Sequence, residues 1–449
     1  MFAFGQSGFR QMFRISTKLL FFIILVCLFP IGYGFIIPHY GSFTLWMLFA
    51  VVFFFFTFVN VIYQKKFSLD KTDKIVLALL FLSPIVENYL SRDVKAAFIE
   101  MLPLFLVFFL PYYFSKYFIK TGKDLDKVFL GLTLVAILSS LTAIGEYVAQ
   151  RSFYADFIPS LVMDPNDVYN NSSMVYYRAG SIRVAGSFSQ PIFLGEFLLL
   201  VALFNVLLLD NDFYRFKGRL FAYFQVSLAL IGSLLSQSRT AIIAFIFCVI
   251  CYYMVSRKRM KYLLGGLFLV LATYIMSVTY FGDISNTIVT FSLGEEAKLG
   301  TLNYRTVIIG RVVSDFLNNI NYSGELSSHF RDLIYSNKVD LINGFANKAI
   351  LDGVLTAIIY LFLWLVIFTR NVRRVKRNSF NRIFFFIFSY LFIIDNVTLI
   401  TYQCEVIFYI LVGLQFNRFV ENQGYLVAEN SYRSEVSELM LQTGQRGLL

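Results

Sequence analysis

The sequence predicts an all-α polytopic membrane protein of about twelve transmembrane helices, with a large outward cap between the ninth and the tenth. Three observations carry that prediction. Hydrophobic residues make up 58% of the 449-residue chain and charged residues 15%, with a mean hydropathy of +0.67, a balance that excludes an ordinary soluble domain. The apolar residues gather into runs long enough to cross the hydrocarbon core, which takes roughly 20 residues as a helix. Lysine and arginine recur in the loops on one side of successive runs. Barrel strands would alternate polar and apolar positions, and Val51-Val52-Phe53-Phe54-Phe55-Phe56 does not. The spanning elements are therefore helices, which satisfy their own backbone groups in lipid.

In order, the apolar runs fall near 18–37, 43–63, 74–91, 97–117, 127–149, 190–209, 220–236, 239–256, 262–280, 347–369, 382–400 and 402–418. The first follows Arg10, Arg14 and Lys18 and has no small-residue cleavage site, so it reads as a retained anchor. Spans one to nine occupy 1–280, with an outer loop at 151–189; the cap occupies 281–346, spans ten to twelve 347–418, and a polar cytoplasmic tail 419–449. No internal repeat is visible, which weighs against a transporter built from inverted halves.

The formal net charge of +11 is distributed as an orientation signal and not as a nucleic-acid surface. One set of loops holds the N-terminal residues, Lys65, Lys66 and Lys71, then Lys116, Lys120 and Lys123, then Arg215, Lys217 and Arg219. The set continues with Arg257, Lys258, Arg259 and Lys261, and ends with Arg370, Arg373, Arg374, Lys376 and Arg377. The short loops of the other side hold little beyond Arg92, Lys95 and Arg239. The positive-inside rule places the first set and both termini in the cytoplasm. Cys27, Cys248, Cys251 and Cys404 all lie inside apolar runs and read as small buried hydrophobes.

Three constellations could carry chemistry. In the first, Arg183-Val-Ala-Gly-Ser-Phe-Ser-Gln-Pro191 leads through Gly195 to Glu196, where the outer loop enters the sixth span. Pro191 suits the first turn of a helix. An acid about a turn inside the membrane is a candidate functional group or the structural partner of an arginine such as Arg183. The second is Ser236-Gln-Ser-Arg-Thr240, a turn so short that Arg239 must lie at or just below the membrane surface. There it either snorkels to lipid phosphates or clamps a diphosphate bidentately, which suits Arg better than Lys.

The third is the cap, where Arg305 and Arg311 share a similar helical face and Asp340-Leu-Ile-Asn343 leads towards the tenth span. Outward-facing arginines above a wide bundle point to an anionic substrate arriving through the bilayer, or to a solvated charged loop. Asp210-Asn211-Asp212 has the spacing of a metal-binding DxD but lies beside Arg215 and Lys217 and reads as a solvated turn. Asp395 and Glu405 flank the last outer turn, either lining the same cavity or pairing with the arginines of the cap.

Taken in order, Arg-x-x-Gly-x-Phe-x-x-Pro-x-x-x-Gly at 183–195, Ser-Arg within 236–240, the loop opening with Arg at 305–324, and Asn then Gly within 340–353 resemble the O-antigen ligase and Wzy-type polysaccharide polymerase superfamily of bacteria. The resemblance extends to span count and loop placement. It implies a GT-C-like glycosyltransferase of the inner (cytoplasmic) membrane. Such an enzyme works at the periplasmic face without metal or cofactor, on undecaprenyl-diphosphate-linked oligosaccharides, with a chain-length regulator as a further partner.

Carried onto this chain, the resemblance implies Arg239 and Arg305 as the principal catalytic arginines, with Arg183 and Arg311 behind them and Asn343 and Glu196 at the substrate. Ligases of this kind commonly carry His beside the Asn that precedes the tenth span, whereas Ile342 stands here. His39 falls in a short outer turn and His329 lies off the pattern. The base stays open among Asp340, His329, Glu325 and Glu196, with Asp340 favoured. The missing histidine tilts the expectation from ligase to polymerase, with a lipid-linked sugar flippase as the non-enzymatic alternative.

Overall fold

The computed structural model describes residues 15–29, 34–37, 41–64, 67–91, 94–153, 176–178, 181–188, 190–211, 216–256, 348, 354–375, 379–397, 400 and 402–420. Nearly all of them are helical. The helices are α1 (Ile15–Leu28), α2 (Leu45–Tyr63), α3 (Lys71–Ser91), α4 (Val94–Pro103, Leu104–Phe109 and Leu110–Phe118 in continuous succession), α5 (Gly122–Ala149) and α6 (Pro191–Asp210). They continue with α7 (Phe216–Leu235), α8 (Arg239–Ser256), α9 (Val354–Arg374), α10 (Ser379–Val397) and α11 (Tyr402–Gln415). Among the described residues, six helices are long and apolar enough to cross a membrane, and three shorter apolar ones accompany them. The expected helical, membrane-embedded class therefore holds. The expected span at 262–280, the cap at 281–346 and the tail beyond Val420 lie outside the described residues.

Two elements correct the expectation. The first run was read as one span over 18–37, but α1 stops at Leu28, and Gly34–Ile37 (β1) pairs antiparallel with Gly41–Thr44 (β2). Pro30, Gly32 and Gly34 interrupt the run. Proline and glycine oppose helix continuation, and the β-branched and aromatic residues beyond them suit a strand. A second hairpin, Tyr176–Arg178 (β3) with Ser181–Arg183 (β4), lies in what was read simply as the outer loop.

Alpha-helices α2 and α4 are also not uniform. Each contains a wider π turn, at Val51–Phe55 and at Leu104–Phe109. The second follows Pro103, which lacks the N–H an α-turn needs.

Helix α6 is the hub. Its apolar window is 83% buried, against 33% for α2 and for α9, and it packs against α5, α7, α8, α10 and α11. The outer helices show one apolar stripe to the surroundings: on α9 it is Leu355, Ile358, Leu361, Phe362 and Leu365, while Tyr360, Leu363, Trp364 and Ile367 face inward. Trp364 packs on Phe368, Phe388, Phe392 and Phe408, which joins α9 to α10 and α11. Lipid offers apolar groups no drive to leave it, so close packing and interhelical hydrogen bonds hold such a bundle. Thr133, Asn205 and Gln225 supply one such link, buried where α5, α6 and α7 meet, with Asn205 Nδ2 donating to Gln225 Oε1 at 2.7 Å.

Contacts between helix ends sort the bundle into two poles. At one, Lys18 donates to Thr57, Ser16 to Asp124 and Lys127 to Thr17. Asn417 donates to the carbonyls of Ser115 and Ile119 at the same pole. Lys116, almost wholly buried, sits 2.7 Å from both Asp70 and Asp73 there. Tyr112 and Tyr117 also donate to Asp73. Among the described residues, Lys71, Lys74, Lys120, Lys123, Arg219 and Arg373 lie near helix ends at this pole. At the opposite pole Trp46 donates to Phe29, and the residues of the first two constellations meet.

Candidate anion site at the far pole

The site is built where α6 and α8 begin side by side. Pro191 occupies the first turn of α6, as its fixed φ and missing N–H favour. The carbonyl of Ser238 accepts from Ile242 and so opens α8 with Arg239 as its first residue. Ser238 does not turn its hydroxyl back onto its own helix; the hydroxyl donates to the Ile192 carbonyl of α6 at 3.4 Å. Both helices run away from this pole, so two positive dipole ends lie together.

Gly195 makes that approach possible. A Cβ there would stand 2.6 Å from Ser236 Oγ and 3.0 Å from Ser238 Oγ, closer than packed atoms tolerate. Glu196 follows, 2% exposed, with its backbone carbonyl accepting from Tyr390 of α10 at 2.9 Å. The acid thus lies in the second turn of α6, buried among helices.

The turn between α7 and α8 is bent by Gln237, whose φ is 55°. A left-handed conformation is uncommon for a residue with a Cβ, and such positions cluster where geometry serves function. Ser236 and Gln237 close α7 through N–H bonds to Gly232 and Leu234. The carbonyl of Ser236 accepts from Arg183 Nε at 3.2 Å. This bond carries Arg183, at the end of β4, onto the turn that presents Arg239. Residues more than fifty positions apart in sequence are brought together, as sequence order alone could not require.

A second layer fixes the loop that carries Arg183. Gly186 has φ of 56°, open to glycine at no steric cost. Its N–H donates to Glu146 Oε2 at 2.9 Å, near the end of α5. Ser187 Oγ donates to the Cys27 carbonyl of α1, and the Ser187 carbonyl accepts from Gln403 of α11 at 3.1 Å. Glu146, Ser187 and Gln403 were absent from the expected set. Glu146 was legible in principle, since the rule that singles out an acid inside an apolar run applies to it as it does to Glu196.

Asp395, Glu405, Asp210 and Asn211 each find partners among the described residues. Asp395 accepts from Tyr360 at 2.8 Å and from the Ile400 N–H at 3.2 Å, and Glu405 lies 3.8 Å from Lys348. Asp210 accepts from Tyr252 at 2.6 Å and Asn211 donates to that same hydroxyl, so these two residues are tied to α8 at the opposite pole, and Asp212 lies outside the described residues. Of the candidate residues, Arg183, Glu196 and Arg239 thus gather at one pole. Arg305, Arg311, Glu325, His329, Asp340 and Asn343 lie outside the described residues.

The arrangement suits an anion with several oxygens. A cation at the first turn of a helix opposes the helix dipole by about 0.3–1 kcal/mol. An oxyanion bound at Arg239 would be favoured by the guanidinium and by the start of α8. No protein-family model matches this chain, and no curated protein matches it either.

Proposed function

We propose that this chain is a membrane glycosyltransferase acting as a polysaccharide polymerase. It would move a growing glycan from undecaprenyl diphosphate onto the non-reducing end of a lipid-linked repeat unit, without a metal. The observation that carries this reading is the Arg183–Ser236 hydrogen bond, which joins the arginine-bearing outer turn to the start of α8 at Arg239. The basic pole is read as cytoplasmic and the arginine pole as periplasmic. The chain leaves α8 at the basic pole, where Tyr252 meets Asp210, and re-enters α9 at the other, where Tyr360 meets Asp395. A ninth span followed by an outer cap, within twelve spans overall, accounts for that switch of ends.

In the proposed reaction the acceptor hydroxyl attacks the anomeric carbon, the bond from that carbon to the diphosphate oxygen breaks, and the hydroxyl proton passes to a base. Negative charge grows on the departing diphosphate. Arginines already in place beside it stabilise that charge without reorganising. Arg239 and Arg183 would serve the diphosphate with Arg305 and Arg311 of the cap, Asp340 would take the proton, and Glu196, His329 and Asn343 would contact the sugars.

Purified protein in nanodiscs, supplied with a synthetic lipid-linked repeat, is expected to build a ladder of longer chains. Arg239→Ala and Arg305→Ala should each slow elongation about 10²-fold. Well-folded variants that elongate at the normal rate would remove the assigned site. In a null strain, single repeat units on the surface glycolipid support polymerisation. Long chains left on the polyprenyl carrier would instead indicate a ligase, and unpolymerised repeats trapped on the cytoplasmic leaflet a flippase.

A further inference from the structure

We infer that Glu146 is a positioning residue that sets the two arginines of the anion site through the turn it clamps. The inference rests on the reading of Arg183 and Arg239 as diphosphate ligands. Glu146 is 1% exposed and lies in the last turn of α5. A carboxylate in that place is doubly unfavourable, because burial penalises its charge and a negative group at a helix C-terminus opposes the dipole.

Helix termination does not call for it. Gln150, with φ of 52°, closes α5, and the N–H groups of Gln150 and Arg151 satisfy the Tyr147 and Glu146 carbonyls. The carboxylate serves the loops instead. Oε1 accepts from the Phe153 N–H at 3.0 Å and from Ser152 Oγ at 3.3 Å, and Oε2 accepts from the Gly186 N–H at 2.9 Å.

Only an acceptor-only group satisfies three converging donors and brings none of its own. Glutamine in that place would turn an NH2 towards an N–H. The consequence runs along the chain, since Gly186 lies three residues past Arg183, and Arg183 holds the Ser236 carbonyl three residues before Arg239. Freeing Gly186 lets Arg183 drift, and with it the turn that presents Arg239. A ligand-positioning group displaced by about 1 Å can cost on the order of 10²-fold in rate.

The test compares Glu146→Gln in the native background and in Arg183→Ala, with purified full-length protein in nanodiscs. Two readouts are taken: binding of undecaprenyl diphosphate, and kcat and KM for elongation. In the native background Glu146→Gln should lower kcat by about 10²-fold and change KM by no more than about threefold, because the polyprenyl tail supplies most ground-state binding. In the Arg183→Ala background the same change should cost less than about twofold, since the arginine it positions is gone. Glu146→Asp keeps the charge and draws it back by one methylene; it provides the same comparison should the Gln variant not fold. Equal losses in both backgrounds, or no loss in either, overturn the inference. Wild-type protein that binds the diphosphate lipid but does not elongate overturns the polymerase reading alone, and the coupling is then read from binding of a short-chain prenyl diphosphate, whose affinity rests on the arginines and not on the tail. Wild-type protein that binds no diphosphate lipid overturns both.

Discussion

Arg239 gains its setting from residues that are not themselves charged. Gly195 lets the start of α6 lie against Ser236 and Ser238, and Ser238 spends its hydroxyl on Ile192 to keep the two helix starts in register. Gly195→Ala is therefore expected to push α6 from the turn and to cost about 1–3 kcal/mol, as overpacking of a tight contact does. Thermal unfolding in detergent measures this, and an unchanged melting temperature would show that the turn moves aside freely. At this scale the sequence was partly legible. Pro191, Gly195, Glu196 and Arg239 stood out because each is an unusual residue for its place in an apolar run. Gln403 did not, because its meaning lies in the Ser187 carbonyl, which is distant in sequence.

Among the elements, α3 and α4 show how a lipid-facing bundle holds a charge out of water. Lys116 is fixed between Asp70 and Asp73, with Tyr112 and Tyr117 completing the lone pairs of Asp73 and the ring of Phe416 5.8 Å from the ammonium. Removing the cation alone leaves the buried Asp73 uncompensated. Lys116→Met should cost about 3–5 kcal/mol, while the double change Lys116→Met with Asp73→Asn should recover much of it. Denaturation of the three proteins side by side decides the point, and equal stability would sink it.

Asp70 adds a pH dependence. Burial alone would raise its pKa, but the Lys116 hydrogen bond and charge, with the backbone donors at Asp73 and Thr72, outweigh burial and hold it below the ordinary 3.8. A folded pKa below the unfolded one means that the contribution is complete above 3.8 and is lost as the pH falls through the depressed value. The melting temperature should therefore drop on acidification through that range, and drop less in Lys116→Met. Among the described residues, six of the expected runs form helices long and apolar enough to cross a membrane. The first expected run failed because Pro30, Gly32 and Gly34 outweighed hydropathy, which carries no information on whether an apolar residue lies in a helix or a strand. The π turns of α2 and α4 leave no trace in composition either.

For the whole molecule, the charge asymmetry was the most legible property, because it is written in loop sequence and does not depend on packing. Among the described residues, the helix-end contacts put Ser16, Thr17, Asp124 and Lys127 at one pole, with Lys116 against Asp70. Single cysteines at Lys120 and at Arg178, in a chain whose four native cysteines are replaced, should react with a membrane-impermeant maleimide from opposite faces: Lys120 only after permeabilisation, Arg178 in intact cells. Labelling of both from one face would overturn the orientation. The candidate anion site was less legible because it belongs to no single stretch: β4, the α7–α8 turn and the start of α6 each supply a part.

The turn at Ser187 also bears on how the protein is made. Its hydroxyl reaches Cys27 in the first described helix and its carbonyl receives Gln403 in the last. A ribosome delivers those two partners at nearly opposite times, the first long before the turn itself and the second after almost all the bundle has been inserted. The turn is thus completed late in synthesis, when α11, the last of the described helices, arrives. A nascent chain halted before α11 holds every residue of the turn and lacks the strut that closes it, so the turn and the described bundle are completed together.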